Sequence, residues 1–294
     1  MKILFVGLGS IGQRHLRNLN QVSIKNKEIY YYSELNRNLF ISKNLKYSSK
    51  SNLETKYQII KITNKKDILK IKPDVSFICN PSSKHIDYAI LLAKLGSHIF
   101  LEKPLSNNLN NIRLLKKILI KKNLIFYVGY QMKFHPYIRK MKELILKKTY
   151  GNILFIKANF GQYLENFHKY ESLSNTIYGK KKLGGGVILE ISHELDYLIW
   201  LLDPKSINLK SFNSKSSNLN IDVEDVSSSI FVFKIKDRKV ILNLNLDFLQ
   251  FKSQREIILC FEKATIKVDF EAFKFEIIKK HGRKTQLFSN KKFS

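Results

Sequence analysis

The chain has 294 residues, enough for two domains with separate cores. Hydrophobic residues make up 44%, which argues against a disordered chain, and the formal net charge of +28 is carried almost entirely by scattered lysines. Lacking an arginine-rich block or a nucleic-acid-binding module, the pattern reads as solvated lysine faces, so no nucleic-acid partner is expected.

In chain order, Ile3 to Val6 reads as a strand and Ile11 to Leu19 as a helix with Ile11, Leu16 and Leu19 on one face. Between strand and helix runs Gly7-Leu8-Gly9-Ser10-Ile11-Gly12. A G-x-G-x-x-G pattern alone is weak, but here it follows a strand and opens a helix. Gly7 then permits the tight turn, Gly9 admits a pyrophosphate close to the backbone, and Gly12 lets helix and strand pack closely. The helix N-terminus at Ser10 and Ile11 turns N–H groups toward the phosphates of a nicotinamide dinucleotide.

Ile29 to Tyr32 is a second strand, followed by Glu34 about 20 residues past the glycines, where a carboxylate accepts from the adenosine ribose hydroxyls. That favours NAD. Ser33 and Arg37 offer the alternative of receiving the 2′-phosphate of NADP, and Glu34 also reads as a surface carboxylate. The cofactor is therefore NAD or NADP, with NAD preferred.

Tyr57 to Thr63 offers a third strand, and Val75 to Cys79 a fourth, ended by Asn80-Pro81-Ser82-Ser83-Lys84-His85. Ligands in open α/β sheets sit beyond the carboxyl ends of strands, which places Asn80, Pro81, Ser82 and His85 beside the cofactor. A surface role is the other reading of His85. Ser83 to Leu95 has Ile86, Ala89, Ile90 and Ala93 on one helical face and is stopped by Gly96. Ser97 to Leu101 is a further strand, ended by Glu102-Lys103-Pro104. Glu102 and Lys103 join the expected cofactor-binding residues, and Lys103 reads as a proton donor or acceptor. A helix marked by Leu109, Ile112, Leu115 and Leu119, then a strand from Leu124 to Tyr130, complete the alternation. Residues 1–129 thus read as an α/β dinucleotide-binding domain, a Rossmann doubly wound parallel sheet.

After Tyr130 the pattern changes. Residues 130–294 read as an α+β substrate and oligomerisation domain with an open, largely antiparallel sheet. A helix fits Tyr137 to Lys147 and a strand Ile153 to Tyr163. The glycines Gly184 to Gly186 lead into an amphipathic helix from Val187 to Leu202. Strand-like runs follow at Ser206 to Phe212, Ser227 to Ile235, Val240 to Phe248, Glu256 to Phe261, Ile266 to Phe270 and Phe273 to Ile278, with a loop at Ser211 to Asn220.

On the helix, Glu190, His193, Glu194 and Tyr197 share one face, opposite a core face of Ile188, Leu189, Ile191, Leu195, Ile199 and Leu202. A histidine beside carboxylates is a candidate general base. Glu190-x-x-His193 is also half of a di-metal carboxylate motif, but no second copy follows, and no metal site is expected. Cys79 and Cys260 are too few for a disulfide framework, and Cys79 reads as a buried thiol. No window approaches the roughly 18 apolar residues of a membrane span, and no signal peptide is recognisable. A cytoplasmic protein without a membrane partner is expected.

These motifs resemble the Gfo/Idh/MocA family of NAD(P)-dependent oxidoreductases, named for glucose-fructose oxidoreductase and inositol dehydrogenase. The resemblance rests on the glycine fingerprint, Asn80-Pro81, Glu102-Lys103-Pro104, the run Gly129 to Pro136, and the glycines leading to His193. It implies hydride transfer between nicotinamide and a hydroxyl or keto carbon of a sugar, inositol or nucleotide sugar, with Lys103 and His193 acting at that carbon. Gln131 would bind cofactor, Lys133 and His135 substrate, with Tyr163 and Tyr178 as further substrate-side residues. Association of like chains through the C-terminal sheet is also expected. The family usually has an aspartate four residues before the histidine. Here the acid is Glu190, three before, as in a subgroup associated with surface-polysaccharide and nucleotide-sugar pathways, and Asp196 is the alternative support for His193. Family members usually carry a further C-terminal helix, for which this chain shows no pattern before Ser294. The competing expectation is a non-catalytic dinucleotide-binding sensor or partner protein on the same fold.

Overall fold

The computed structural model of the chain describes residues 1–34, 40–42, 47–48, 52–166, 176–282 and 284–288. Arg37, weighed above as a phosphate contact, lies outside them. The chain divides into two compact units, Met1–Gly129 and Tyr130–Ser294.

The first unit is built from β1 (Lys2–Val6), α1 (Ser10–Leu19), β2 (Glu28–Tyr32), the short pair β3 (Phe40–Ile41) and β4 (Tyr47–Ser48), α2 (Leu53–Tyr57), β5 (Ile59–Ile62), α3 (Ile68–Ile71), β6 (Val75–Ile78), α4 (His85–Lys94), β7 (His98–Leu101), α5 (Ile112–Lys121) and β8 (Phe126–Val128). Six strands form one sheet in the order β5-β2-β1-β6-β7-β8, every pairing parallel. The apolar run Ile3–Val6 is a central strand, and a parallel strand covered on both faces needs such a run. One face buries Leu4, Val6, Ile78 and Leu101 with the α4 residues Ile86, Ala89, Leu92 and Ala93. The other buries Ile3, Phe5, Leu8, Leu16, Ile29 and Tyr31. Gly96 closes α4 with φ +90°, the left-handed conformation that glycine adopts without a Cβ penalty.

The second unit contains α6 (Pro136–Leu146), β9 (Ile153–Gly161), α7 (Val187–Glu190), α8 (Ser192–Leu202) and the strands β10 (Ser206–Ser214), β11 (Val226–Ile235), β12 (Arg238–Asp247), β13 (Gln254–Phe261), β14 (Ala264–Asp269), β15 (Lys274–Lys279) and β16 (Lys284–Phe288). Eight strands form a sheet in the order β10-β11-β12-β9-β13-β14-β15-β16. Among their pairings only β12 with β9 is parallel. One sheet face buries Ile156, Ala158, Phe233, Leu242, Leu259 and Ile266 together with Ile138, Met141 and Leu144 of α6 and Leu198, Leu201 and Leu202 of α8.

Three expectations need correction. The continuous helix over Val187 to Leu202 is two helices broken at Ile191, where φ −97° and ψ +19° leave the helical region and the Glu194 N–H reaches back to the Ile191 carbonyl. The expected core face is buried only at Ile191 and Leu202, with Ile188, Leu189, Leu195 and Ile199 partly covered, whereas Glu194 and Tyr197 of the opposite face are fully buried. The start of the Ser211 to Asn220 loop is strand, because β10 pairs with β11 as far as Ser214. Strand β16 has no counterpart among the strand-like runs of the sequence.

Candidate functional site

In the first unit the glycine turn has the shape that dinucleotide phosphates require. Gly7 has φ +91°, and a Cβ there would lie 2.8 Å from the Asn80 nitrogen. A Cβ on Gly12 would overlap the Gly7 carbonyl, so α1 packs on the turn only with glycine at that position. Gly9 has nothing within 4 Å on its side-chain face, which leaves open space for a ligand against the backbone. Helix α1 starts at Ser10 without a side-chain cap, so the first-turn N–H groups, including that of Ile11, suit an anion. Asn80, at the end of β6, has a buried Oδ1 with no hydrogen-bond partner among the described residues. An orphaned acceptor next to an open phosphate cradle fits a polar cofactor. Bound nicotinamide dinucleotide would be held here by Gly7, Gly9, Ser10, Ile11, Gly12 and Asn80, and would supply or accept a hydride.

The turn after β6 is held from behind. His85 is almost fully buried, with Nδ1 2.8 Å from the Pro104 carbonyl and Nε2 2.8 Å from the Asn80 carbonyl. It ties the Asn80-Pro81 turn to the Glu102-Lys103-Pro104 turn, so its surface reading fails. Burial lowers its pKa, and the facing carbonyls oppose that shift. Ser82 is buried beside it, in the short 3₁₀ turn Ser82–Lys84. Glu102 is buried at the end of β7, where Oε2 accepts the Lys103 N–H at 3.1 Å and Oε1 lies 2.5 Å from His15 Nε2. The His15 ring packs edge-on against Phe100, centroids 4.8 Å apart. Lys103 is half-buried and precedes a cis proline. Glu34, expected to be open to ribose, is engaged on both oxygens: Oε1 accepts from Tyr88 Oη at 2.7 Å, and Oε2 pairs with Lys84 Nζ.

In the second unit His193 stands at the start of α8 with Nε2 3.3 Å from Glu194 Oε1. Glu194 also pairs with Arg255 and accepts from Tyr197 Oη at 2.6 Å. Burial alone would raise the Glu194 pKa; Arg255, His193 and Tyr197 outweigh it and hold the carboxyl below the usual range. The Arg255 guanidinium lies 5.1 Å from the ring centroids of both Phe160 and Phe270, an aromatic sandwich for a cation. Phe160 also faces the His193 ring at 5.6 Å.

His135 caps α6, its Nδ1 accepting the Tyr137 N–H at 3.2 Å, and its pKa is lowered to about 4 by burial and by Arg255. Lys133 is half-buried, and Asp196 senses its charge, although burial raises the Asp196 pKa overall. Tyr130 Oη donates to Ser192 Oγ at 3.1 Å. Glu190 closes α7 and is half-buried. Gln131 is exposed at the entry to the 3₁₀ turn Met132–Phe134. Tyr163 packs on Phe251 with centroids 4.8 Å apart, and the Tyr178 carbonyl accepts the Gly186 N–H at 3.0 Å. Both tyrosines lean on the core of the second unit. The glycine run itself is structural: Gly186 has φ +112°, and a side chain there would strike Glu224.

Sequence reasoning missed His15, Lys84, Tyr88 and Arg255, and undervalued Glu194. A signal existed for two of them. His15 follows Gly12 by three residues, one helical turn along α1. Arg255 shares strand parity with the buried Ile257, Leu259 and Phe261, which marks an inward-facing cation that needs a buried partner.

Fold and turn together define a dinucleotide-binding protein of the Rossmann class, followed by a unit built on a mixed sheet. Residues 1–130 match the oxidoreductase family with an NAD-binding Rossmann fold, and residues 138–267 match the GFO/IDH/MocA C-terminal domain. The chain belongs to the Gfo/Idh/MocA family. It is 26% identical over 151 residues to myo-inositol 2-dehydrogenase of Thermotoga maritima, a match covering 51% of this chain and 42% of that enzyme. Matches to two further dehydrogenases cover 35% and 41% of their lengths, so the chain spans less than half of these relatives. The fold is shared with UDP-N-acetylglucosamine 3-dehydrogenase GnnA of Acidithiobacillus ferrooxidans, with TM-score 0.73, 15% identity, and coverage of 100% of this chain and 84% of that one. It is shared equally with the WlbA dehydrogenase of Bordetella pertussis in complex with NADH and UDP-GlcNAcA, with TM-score 0.75, 19% identity, and coverage of 91% and 77%.

Proposed function

We propose that the protein is an NAD(P)-dependent oxidoreductase moving a hydride between nicotinamide and a hydroxyl or keto carbon of a sugar, inositol or nucleotide sugar. The observation that carries this reading is the array His193–Glu194–Arg255. A fully buried carboxylate is costly unless paired, and here it is paired on one side with a permanent cation and on the other with a histidine. Such a carboxylate fixes the tautomer and orientation of the imidazole. His193 then takes the proton of the reacting hydroxyl, and Lys103 polarises the oxygen, with Glu190 supporting. Lys133 and His135 meet the substrate. The complex of WlbA with UDP-GlcNAcA and the basic charge of this chain support a nucleotide sugar as the substrate class.

The test follows dinucleotide reduction across UDP-linked and free sugars. Lys103→Ala and His193→Ala are expected to keep dinucleotide binding while turnover falls by roughly 100-fold or more. Unchanged turnover in both variants overturns the assignment.

No helix among the described residues is long and apolar enough to cross a membrane. The free thiols Cys79 and Cys260 fit a reducing compartment such as the cytoplasm. The register of β10, β11 and β12 sets Phe212, Ile230 and Ile241 on one sheet face, where all three are exposed. A second copy of the chain covering this face accounts for them, and a monomeric mass by light scattering would remove that part of the reading.

A further inference from the structure

The acidic residue that follows the second strand of a Rossmann unit ordinarily accepts from both ribose hydroxyls and repels a 2′-phosphate. That role needs free carboxylate oxygens. In this chain neither oxygen of Glu34 is free. Tyr88, a buried residue of α4, donates to Oε1, and Lys84, from the 3₁₀ turn before α4, takes Oε2. A second ammonium group is close: Lys65 Nζ lies 4.3 Å from the centroid of the Tyr88 ring, and its charge is felt at Glu34. Tyr32, the last residue of β2, flanks Tyr88 with centroids 6.2 Å apart. One carboxylate against two ammonium groups leaves the cluster with net charge +1.

We propose that Lys84 sets the dinucleotide preference of the first unit, neutralising Glu34 so that the site receives the 2′-phosphate of NADP as well as the 2′-hydroxyl of NAD. The inference rests on the cofactor reading under the proposed function. A phosphate monoester carries about −1.5 to −2 charge at neutral pH and is repelled by a bare carboxylate. Paired with Lys84, the carboxylate presents no net charge, and Lys65 adds attraction. Lys84 and Glu34 are both partly exposed, with side chains 42% and 38% accessible, so the pair is open to exchange with a ligand phosphate. Its influence is therefore also screened by salt.

The test is binding of NADH and NADPH, read by ligand fluorescence at low salt, and needs no substrate. Wild-type protein is expected to bind the two with dissociation constants within about tenfold of each other, since one neutralised charge corresponds to about one decade in affinity. Lys84→Ala is expected to weaken NADPH about tenfold while leaving NADH unchanged or tighter. Lys84→Arg retains the wild-type ratio, and Glu34→Gln shifts it toward NADPH. The Lys84→Ala shift shrinks at high salt. An NADH to NADPH ratio equal in Lys84→Ala and wild type overturns the proposal and leaves the cofactor reading standing. If wild-type protein binds neither dinucleotide, the cofactor reading itself fails and the proposal fails with it.

Discussion

Two histidines in this chain each meet a buried carboxylate, and the two pairs are compensated differently. In the first unit His15 lies 2.5 Å from Glu102, whose other oxygen accepts the Lys103 backbone N–H. In the second, His193 lies 3.3 Å from Glu194, which also carries Arg255 and the Tyr197 hydroxyl. Guanidinium does not deprotonate in proteins, so the charge of Glu194 is matched whatever the state of its histidine. Glu102 instead faces an imidazole, which unlike guanidinium also exists in a neutral form. The shorter contact is thus the more conditional one. Glu102 is built as part of a turn that shapes Lys103, whereas Glu194 is built as a permanent anion beside an imidazole.

The largest effect expected from this difference is at Arg255. Arg255→Met fills much of the same space between Phe160 and Phe270 but leaves Glu194 unmatched in a dry environment. Removing one partner of a buried pair costs about 3–5 kcal/mol. Chemical denaturation should show a loss of that order, and Glu194→Gln a smaller one. The double variant Arg255→Met with Glu194→Gln should cost less than the sum of the two single changes, by about 1–3 kcal/mol of coupling. Strict additivity would mean that the two charges do not support one another.

How far this was legible in the sequence differs between the units for a physical reason. The glycine turn is a local requirement: Gly7 and Gly12 are demanded by backbone atoms of neighbouring turns, so spacing alone exposes the function. The parallel sheet follows from the strand–helix alternation for the same local reason. The ion pairs are tertiary. Lys84 and Glu34 are 50 residues apart, and no local rule links them. Arg255 meets Glu194 only because β13 pairs with β9 and turns residue 255 to the inner face. Strand parity announced an inward arginine, but not its partner. The break at Ile191 had no signal at all, since isoleucine is a tolerable helix former and neither glycine nor proline stands there.

A smaller effect is expected at the first pair. Glu102→Gln keeps an acceptor for the Lys103 N–H and a polar contact for His15, and loses only the charge assistance. That difference is worth about 1 kcal/mol. A loss as large as that of Arg255→Met would show that Glu102 is an anion of the same permanence as Glu194, and the contrast between the units would disappear.

The smallest effect reads the field of Arg255 at a distance. His135 is held neutral by burial and by Arg255, with its pKa lowered from 6.5 to about 4. Its Nδ1 accepts the Tyr137 N–H, which protonation would forbid. Below about pH 6.5 the unfolded chain takes up a proton at this residue that the native state refuses. Stability contributed by His135 is therefore complete above that pH, declines as pH falls toward 4, and changes no further below. His135→Asn keeps a side-chain acceptor at the start of α6 and removes the titration. Urea midpoints at pH 7 and pH 5 should then differ less in the variant than in the wild type. The wild-type difference should narrow further in Arg255→Met, where the cation that disfavours imidazolium is gone. Equal acid sensitivity in all three proteins would detach His135 from Arg255 and confine the cation's influence to Glu194 and His193.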